Sequence, residues 1–185
     1  MSEPFNLVGG AAIVTIGSSR TTSDVDILVS RNVEVRDLVQ GLENEGVIKI
    51  QGGQYHFVSI NNASAKNLTL DILTRAVNIV TFDEFETQTE LREGIRVLKT
   101  QHSLAMKLVC VYLRGDDDHG DKKETDCEDI EFLSNIMVLD RECFSEECAV
   151  HFQLHHYHLY YLKAMLEPAT VERLIALGVR KMVLP

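Results

Sequence analysis

A chain of 185 residues with 45% hydrophobic and 25% charged residues has the composition of one globular domain, or of one domain with a helical appendage. Its formal net charge of −10 argues against broad electrostatic binding to nucleic acid, which needs a basic face, while leaving room for a local basic groove. No apolar run approaches a membrane span, and the opening Met-Ser-Glu-Pro lacks a signal peptide's basic and apolar regions, so a cytoplasmic protein without membrane segments is expected.

The elements are legible in chain order. Phe5 to Val8 reads as a short strand ending at Gly9-Gly10, followed by a small-residue helix from Ala11 to Ile16. Gly17 to Ser23 is a loop and Asp24 to Ser30 a second strand. Asn32 suits a helix cap ahead of Val35, Leu38, Val39 and Leu42, with Gly46 closing that helix. Val47 to Gln51 and Gln54 to Ile60, split by Gly52-Gly53, predict a two-residue hairpin. A polar loop over Asn61 to Asn67 leads into a strand from Leu68 to Thr74, with Leu68, Leu70 and Ile72 on one face and Thr69 and Asp71 on the other.

Beyond about residue 80 the strand signals stop. Ser103 to Arg114, Thr125 to Leu139, Ser145 to Leu166 and Ala169 to Leu177 carry helical periodicity, with an acidic loop over Gly115 to Asp121. The expected fold class is therefore α+β: a short mixed sheet flanked by helices over residues 1–90, then a helical region over 91–185 packing on it.

Chemistry concentrates on three aspartates. Asp24 and Asp26 lie one residue apart in a strand, so both carboxylates point to one face. Like charges that close are costly unless a cation or proton sits between them, and carboxylate oxygens are what Mg²⁺ prefers. Asp71 is the only charge in the apolar strand Leu68 to Leu73; taken alone it is equally an ordinary polar-face residue. On neighbouring strands the three would form a cluster able to hold two divalent ions about 4 Å apart, which can clamp the attacking and leaving oxygens of a phosphoryl displacement. Gly9-Gly10, between a strand and a helix N-terminus, would let the backbone approach a phosphate while first-turn N–H groups point at it.

Gly9-Gly10, then thirteen residues, then Asp24-Val-Asp26-Ile resembles the signature of the DNA polymerase beta-like nucleotidyltransferase superfamily. The stretch Gly17-x-x-Arg20-x-Thr22-x-Asp24 is similar to minimal nucleotidyltransferases related to the AbiEii-type toxins of bacterial toxin–antitoxin systems. Gly17-Ser18 is a rival glycine motif, but only five residues separate it from Asp24, too few for the intervening helix. The resemblance implies a nucleotidyltransferase fold in which the glycine pair contacts nucleotide phosphates, Asp24 and Asp26 bind Mg²⁺ (or Mn²⁺), and Asp71 completes the triad.

The likeness continues through Leu104-Ala-Met-Lys107-Leu, Arg114 and Lys123-x-x-Asp126-x-x-Asp129-Ile, where the family uses a lysine on the triphosphate. The residues agree: Lys107 is the only charge between His102 and Arg114 in a helix apolar nearly all round, and a buried ammonium needs a partner. Arg114 lies two turns on along the same face, so both cations are placed to meet one polyphosphate of a bound nucleotide; the alternative is that Lys107 snorkels to the surface. Lys122, Lys123, Asp126 and Asp129 fit the site or a solvated helix start equally well. In the loop before the metal strand, Ser18 and Arg20 are placed to touch phosphate or ribose.

Two features carry a structural reading instead. Cys110, Cys127, Cys143 and Cys148 have no C-x-x-C spacing, so free thiols are favoured over a disulfide or zinc site. His151 and His155 share a helix face, but the zincin pattern H-E-x-x-H fails, and Leu154, Leu159, Leu162, Met165 and Leu166 fit core or dimer packing. The expected function is Mg²⁺-dependent transfer of a nucleoside monophosphate from an NTP to an acceptor hydroxyl on tRNA, a protein or a small molecule. The alternative is a non-catalytic protein of the same fold that binds nucleotide or a partner, and a homodimer through the C-terminal helices is compatible with either.

Overall fold

The computed structural model describes residues 5–58, 68–77, 80–114 and 120–179. The loop expected over 61–67 and most of the acidic loop over 115–121 lie outside the described residues. The chain forms two compact units, one from residues 1–76 and 81–98, the other from 77–80 and 99–185.

The first unit is a seven-stranded mixed sheet with helices. Its strands are β1 (Phe5–Val8), β2 (Asp24–Val29), β3 (Ile48–Gln51), β4 (Gln54–Phe57), β5 (Thr69–Leu73), β6 (Thr89–Arg92) and β7 (Ile95–Leu98), in the spatial order β3-β4-β5-β2-β1-β7-β6. β1 pairs with β2 antiparallel and β2 with β5 parallel, so the strands that carry Asp24, Asp26 and Asp71 are neighbours. Helix α1 (Gly9–Ile16) follows β1 directly and ends at Gly17, whose φ of 120° suits glycine. Helix α2 (Val35–Asn44) links β2 to β3.

Strand alternation decides where the core lies. Leu7, Ile27, Val29, Leu70 and Val97 turn one sheet face inward, where Ala12 of α1, Val39 of α2 and Ile48 join them. Asp24, Asp26 and Asp71 belong to the opposite face. The Gly52-Gly53 turn of the β3–β4 hairpin has φ of 60° and 82°, as a type I′ turn requires.

The sheet is larger than the sequence suggested, because β6 and β7 follow residue 80. They form a hairpin about Glu93-Gly94, both at positive φ, and β7 joins β1 in parallel. Leu91 of β6 and Ile95, which opens β7, are both exposed, so the match of apolar residues to a buried face that marks a strand is weak there. The cap of α2 also differs: the N-cap residue is Glu34, not Asn32, and no side chain bonds into the first turn.

The second unit is helical. Helix α4 (Thr100–Leu113) is buried along nearly its whole surface, and α5 (Gly120–Leu139) packs against it. The single helix expected over 145–166 is two, α6 (Glu146–His151) and α7 (His156–Leu162), with α8 (Pro168–Ala176) after them. Gln153 takes φ of 48°, the Leu154 N–H returns to the Ala149 carbonyl at 2.9 Å, and His155 caps the next helix. Helix α3 (Phe82–Phe85) belongs to the first unit.

Candidate active site

The β2–β5 register places Asp26 directly beside Asp71 and Asp24 beside Thr69. One carboxylate oxygen from each of Asp24, Asp26 and Asp71 lies within 4.8 Å of the others, and no other group of three or more His, Cys, Asp or Glu among the described residues is so arranged. Asp24 and Asp26 are half-buried and Asp71 is exposed, so the cluster opens toward β5. Three carboxylates at this spacing repel one another, and an all-oxygen donor set suits a hard divalent cation such as Mg²⁺ or Mn²⁺. The residues fit such an ion.

The loop before β2 orients the cluster. The Thr22 hydroxyl donates to Asp24 Oδ1 at 2.7 Å, which fixes that carboxylate's rotation. The Arg20 backbone N–H donates to the Ser18 hydroxyl at 3.3 Å. The two glycines prove necessary for a reason that the motif alone did not give. A Cβ at Gly9 would overlap Asp26 Oδ2, and Gly9 also has φ of 63°. A Cβ at Gly10 would overlap Arg20 Nη2 and sit 3.1 Å from Thr22 Oγ1. Their missing side chains make room for the site's own carboxylate and guanidinium at the N-terminus of α1. That helix start has no side-chain cap and no acidic residue in its first turn, so its positive end and Arg20 together face this corner.

Lys107 and Arg114 belong to the helical unit. Lys107 Nζ meets Asp126 Oδ1 at 2.6 Å and Asp129 Oδ2 at 2.8 Å, and Arg114 Nε meets Asp126 Oδ2 at 2.6 Å. Asp126 and Asp129 are thus buried members of a charge network, not a solvated helix start. Burial disfavours the Lys107 ammonium, but attraction and hydrogen bonds from the two aspartates outweigh it and hold the lysine pKa above its ordinary value. Lys123 donates to the Tyr161 hydroxyl at 2.6 Å.

The histidines serve the helices. His158 Nδ1 accepts the His155 backbone N–H at 2.9 Å and so closes the start of α7. His102 and His151 approach ring to ring at 6.3 Å between centroids. The four cysteines are free.

Asn6 and His56 share the triad's surroundings without having been singled out in the sequence, where Thr22 figured only as part of the loop motif. Asn6 pairs with Leu28 and so faces the triad's side of the sheet from β1. It is fully buried, and neither amide atom has a hydrogen-bond partner among the described residues. Only the register, which residue order does not disclose, could have revealed either it or His56.

No family model matches the chain, and a search of curated proteins finds no match. Solved structures do match. Protein JHP933 from Helicobacter pylori aligns over 97% of this chain and 82% of its own, at 19% identity and a TM-score of 0.52. An antigenic nucleotidyltransferase-like protein from Paracoccidioides brasiliensis aligns over 98% and 86%, at 15% identity and a TM-score of 0.55. The fold is nucleotidyltransferase-like, a seven-stranded mixed sheet with flanking helices. At these identities the likeness establishes the fold.

Proposed function

We propose that the chain is a metal-dependent nucleotidyltransferase that moves a nucleoside monophosphate from an NTP to an acceptor hydroxyl. The observation that carries this reading is the convergence of Asp24, Asp26 and Asp71 on one point beside the glycine-backed helix start. Asp24 and Asp26 would hold Mg²⁺ or Mn²⁺ with help from Asp71. Such ions, when bound, neutralise charge on the phosphates and on the oxygens entering and leaving.

The chain's own groups divide the remaining work. First-turn N–H groups at Gly9 and Gly10, with Arg20 and Ser18, bind the β- and γ-phosphates and so hold the leaving group. The acceptor oxygen attacks the α-phosphorus, Asp71 takes its proton, and the bond to pyrophosphate breaks in line with the attack. Thr22 keeps Asp24 turned toward the metal. In the helical unit Lys107 is committed to Asp126 and Asp129, and Arg114, its side chain 28% exposed, pairs with Asp126. The Gly17-to-Asp24 loop supports a place near the AbiEii-like branch of the superfamily.

The test is incubation with labelled NTPs, Mg²⁺ and a cell extract, using wild type and Asp26→Asn. Wild type should label one fraction and the variant should lose that labelling by at least about a hundredfold. Undiminished labelling by Asp26→Asn contradicts the mechanism.

A further inference from the structure

The proposed reaction fixes which side of the triad the acceptor must use. The leaving pyrophosphate lies toward α1, where Gly9 abuts Asp26 and Gly10 abuts Arg20. An in-line displacement puts the entering oxygen on the opposite side of the α-phosphorus. Across the sheet, that opposite direction runs from β2 through β5 to β4.

β4 carries one residue suited to meet what arrives there. The β4–β5 register pairs His56 with Thr69, and the β2–β5 register pairs Thr69 with Asp24. Paired residues point to the same face, so His56, Thr69 and Asp24 form one row across three strands. Their neighbours confirm the orientation, since Tyr55 and Phe57 pack against the core on the other face. Strand spacing puts the His56 backbone roughly 10 Å from that of Asp24, about the width of a phosphate and an incoming hydroxyl-bearing group.

His56 is half-buried, and its Nδ1 is buried with no hydrogen-bond partner among the described residues. A buried ring nitrogen left unsatisfied costs free energy, so it calls for a partner, and none is found among the described residues. Asp71, between His56 and the Asp24/Asp26 pair in the sheet order, is exposed on the same side.

We infer that His56 is a positioning residue for the acceptor, its imidazole hydrogen-bonding the acceptor beside the attacking hydroxyl so that Asp71 can take that hydroxyl's proton. This rests on the nucleotidyltransferase reading and adds the acceptor side of the same site. The proton goes from acceptor oxygen to Asp71, the new bond is acceptor oxygen to α-phosphorus, and the bond broken is that to pyrophosphate; His56 is unchanged.

The experiment compares wild type, His56→Ala and His56→Gln. Each is given labelled NTP, Mg²⁺ and graded dilutions of the cell-extract fraction that wild type labels. Binding of the same NTP with Mn²⁺ and the melting temperature are measured in parallel. His56→Ala should raise the apparent KM for the fraction at least about tenfold with NTP affinity and melting unchanged. His56→Gln, which keeps a hydrogen-bonding group, should recover part of that loss. Equal labelling by wild type and His56→Ala overturns the inference and leaves the reaction standing. So does a loss that follows NTP affinity or melting, or one that glutamine does not relieve. No labelling by wild type overturns both.

Discussion

The guanidinium of Arg20 lies directly over the α-carbon of Gly10, in the space that any side chain there would fill. In the proposed function Arg20 and the positive start of α1 are the two halves of an anion seat. Gly10→Ala should displace Arg20 while preserving the fold, because Gly10 does not need a positive φ. Expected is a loss of roughly tenfold in NTP affinity with little change in melting, read by titration of Mn²⁺ and NTP. Gly9→Ala should behave differently, since φ of 63° and the overlap with Asp26 both oppose it. It should cost about 1–2 kcal/mol in urea unfolding as well as metal binding.

The network of Lys107, Arg114, Asp126 and Asp129 ties α4 to α5. Removing one member of a buried ion pair strands its partner's charge, so Lys107→Met or Asp126→Leu should each cost about 3–5 kcal/mol. The pH dependence has a definite sign. The folded pKa of Lys107 exceeds its unfolded value of 10.5, so its contribution is complete below that pH and is lost as pH rises through the folded pKa. Melts between pH 9 and 12 should show a wild-type decline that Lys107→Met lacks.

His102 gives the acid counterpart. Burial, with His151 and Lys99 adding like charge, lowers its pKa to about 4 from an ordinary 6.5. Folding therefore favours the neutral ring. The stability this confers is full above pH 6.5 and falls away as pH drops toward 4, by about 3 kcal/mol over that interval. His102→Leu should flatten the melting profile between pH 6.5 and 4; an unchanged slope would remove His102 as its cause.

Asn6 presents a donor and an acceptor to a fully buried environment on the triad's face. Leucine has nearly its shape and leaves nothing unsatisfied. Asn6→Leu should raise stability in urea by about 1–3 kcal/mol. A destabilised variant would show that the amide has a partner of value.

Much of the first unit could be read from residue order, because its signals are local. Val25, Ile27 and Val29 alternate with Asp24 and Asp26, and Gly52-Gly53 names its own turn. The β6–β7 hairpin escaped notice because Glu93 takes a left-handed conformation that its residue type does not advertise. The break at Gln153 escaped likewise, with no glycine or proline to mark it. Lys107 announced that it needed a partner, yet Asp126 and Asp129 are 19 and 22 positions on and reach it only through helix packing. His56 depended on register: which face it occupies follows from Tyr55 and Phe57 joining the core, and that is a property of the assembled sheet.

Which phosphorus is attacked can be read from one paired measurement. The protein with Mg²⁺ and the extract fraction receives an NTP labelled at either the α- or the γ-phosphate. The α-label should enter the acceptor while the γ-label leaves as pyrophosphate. Transfer of the γ-label to the acceptor, or of neither label, would contradict it.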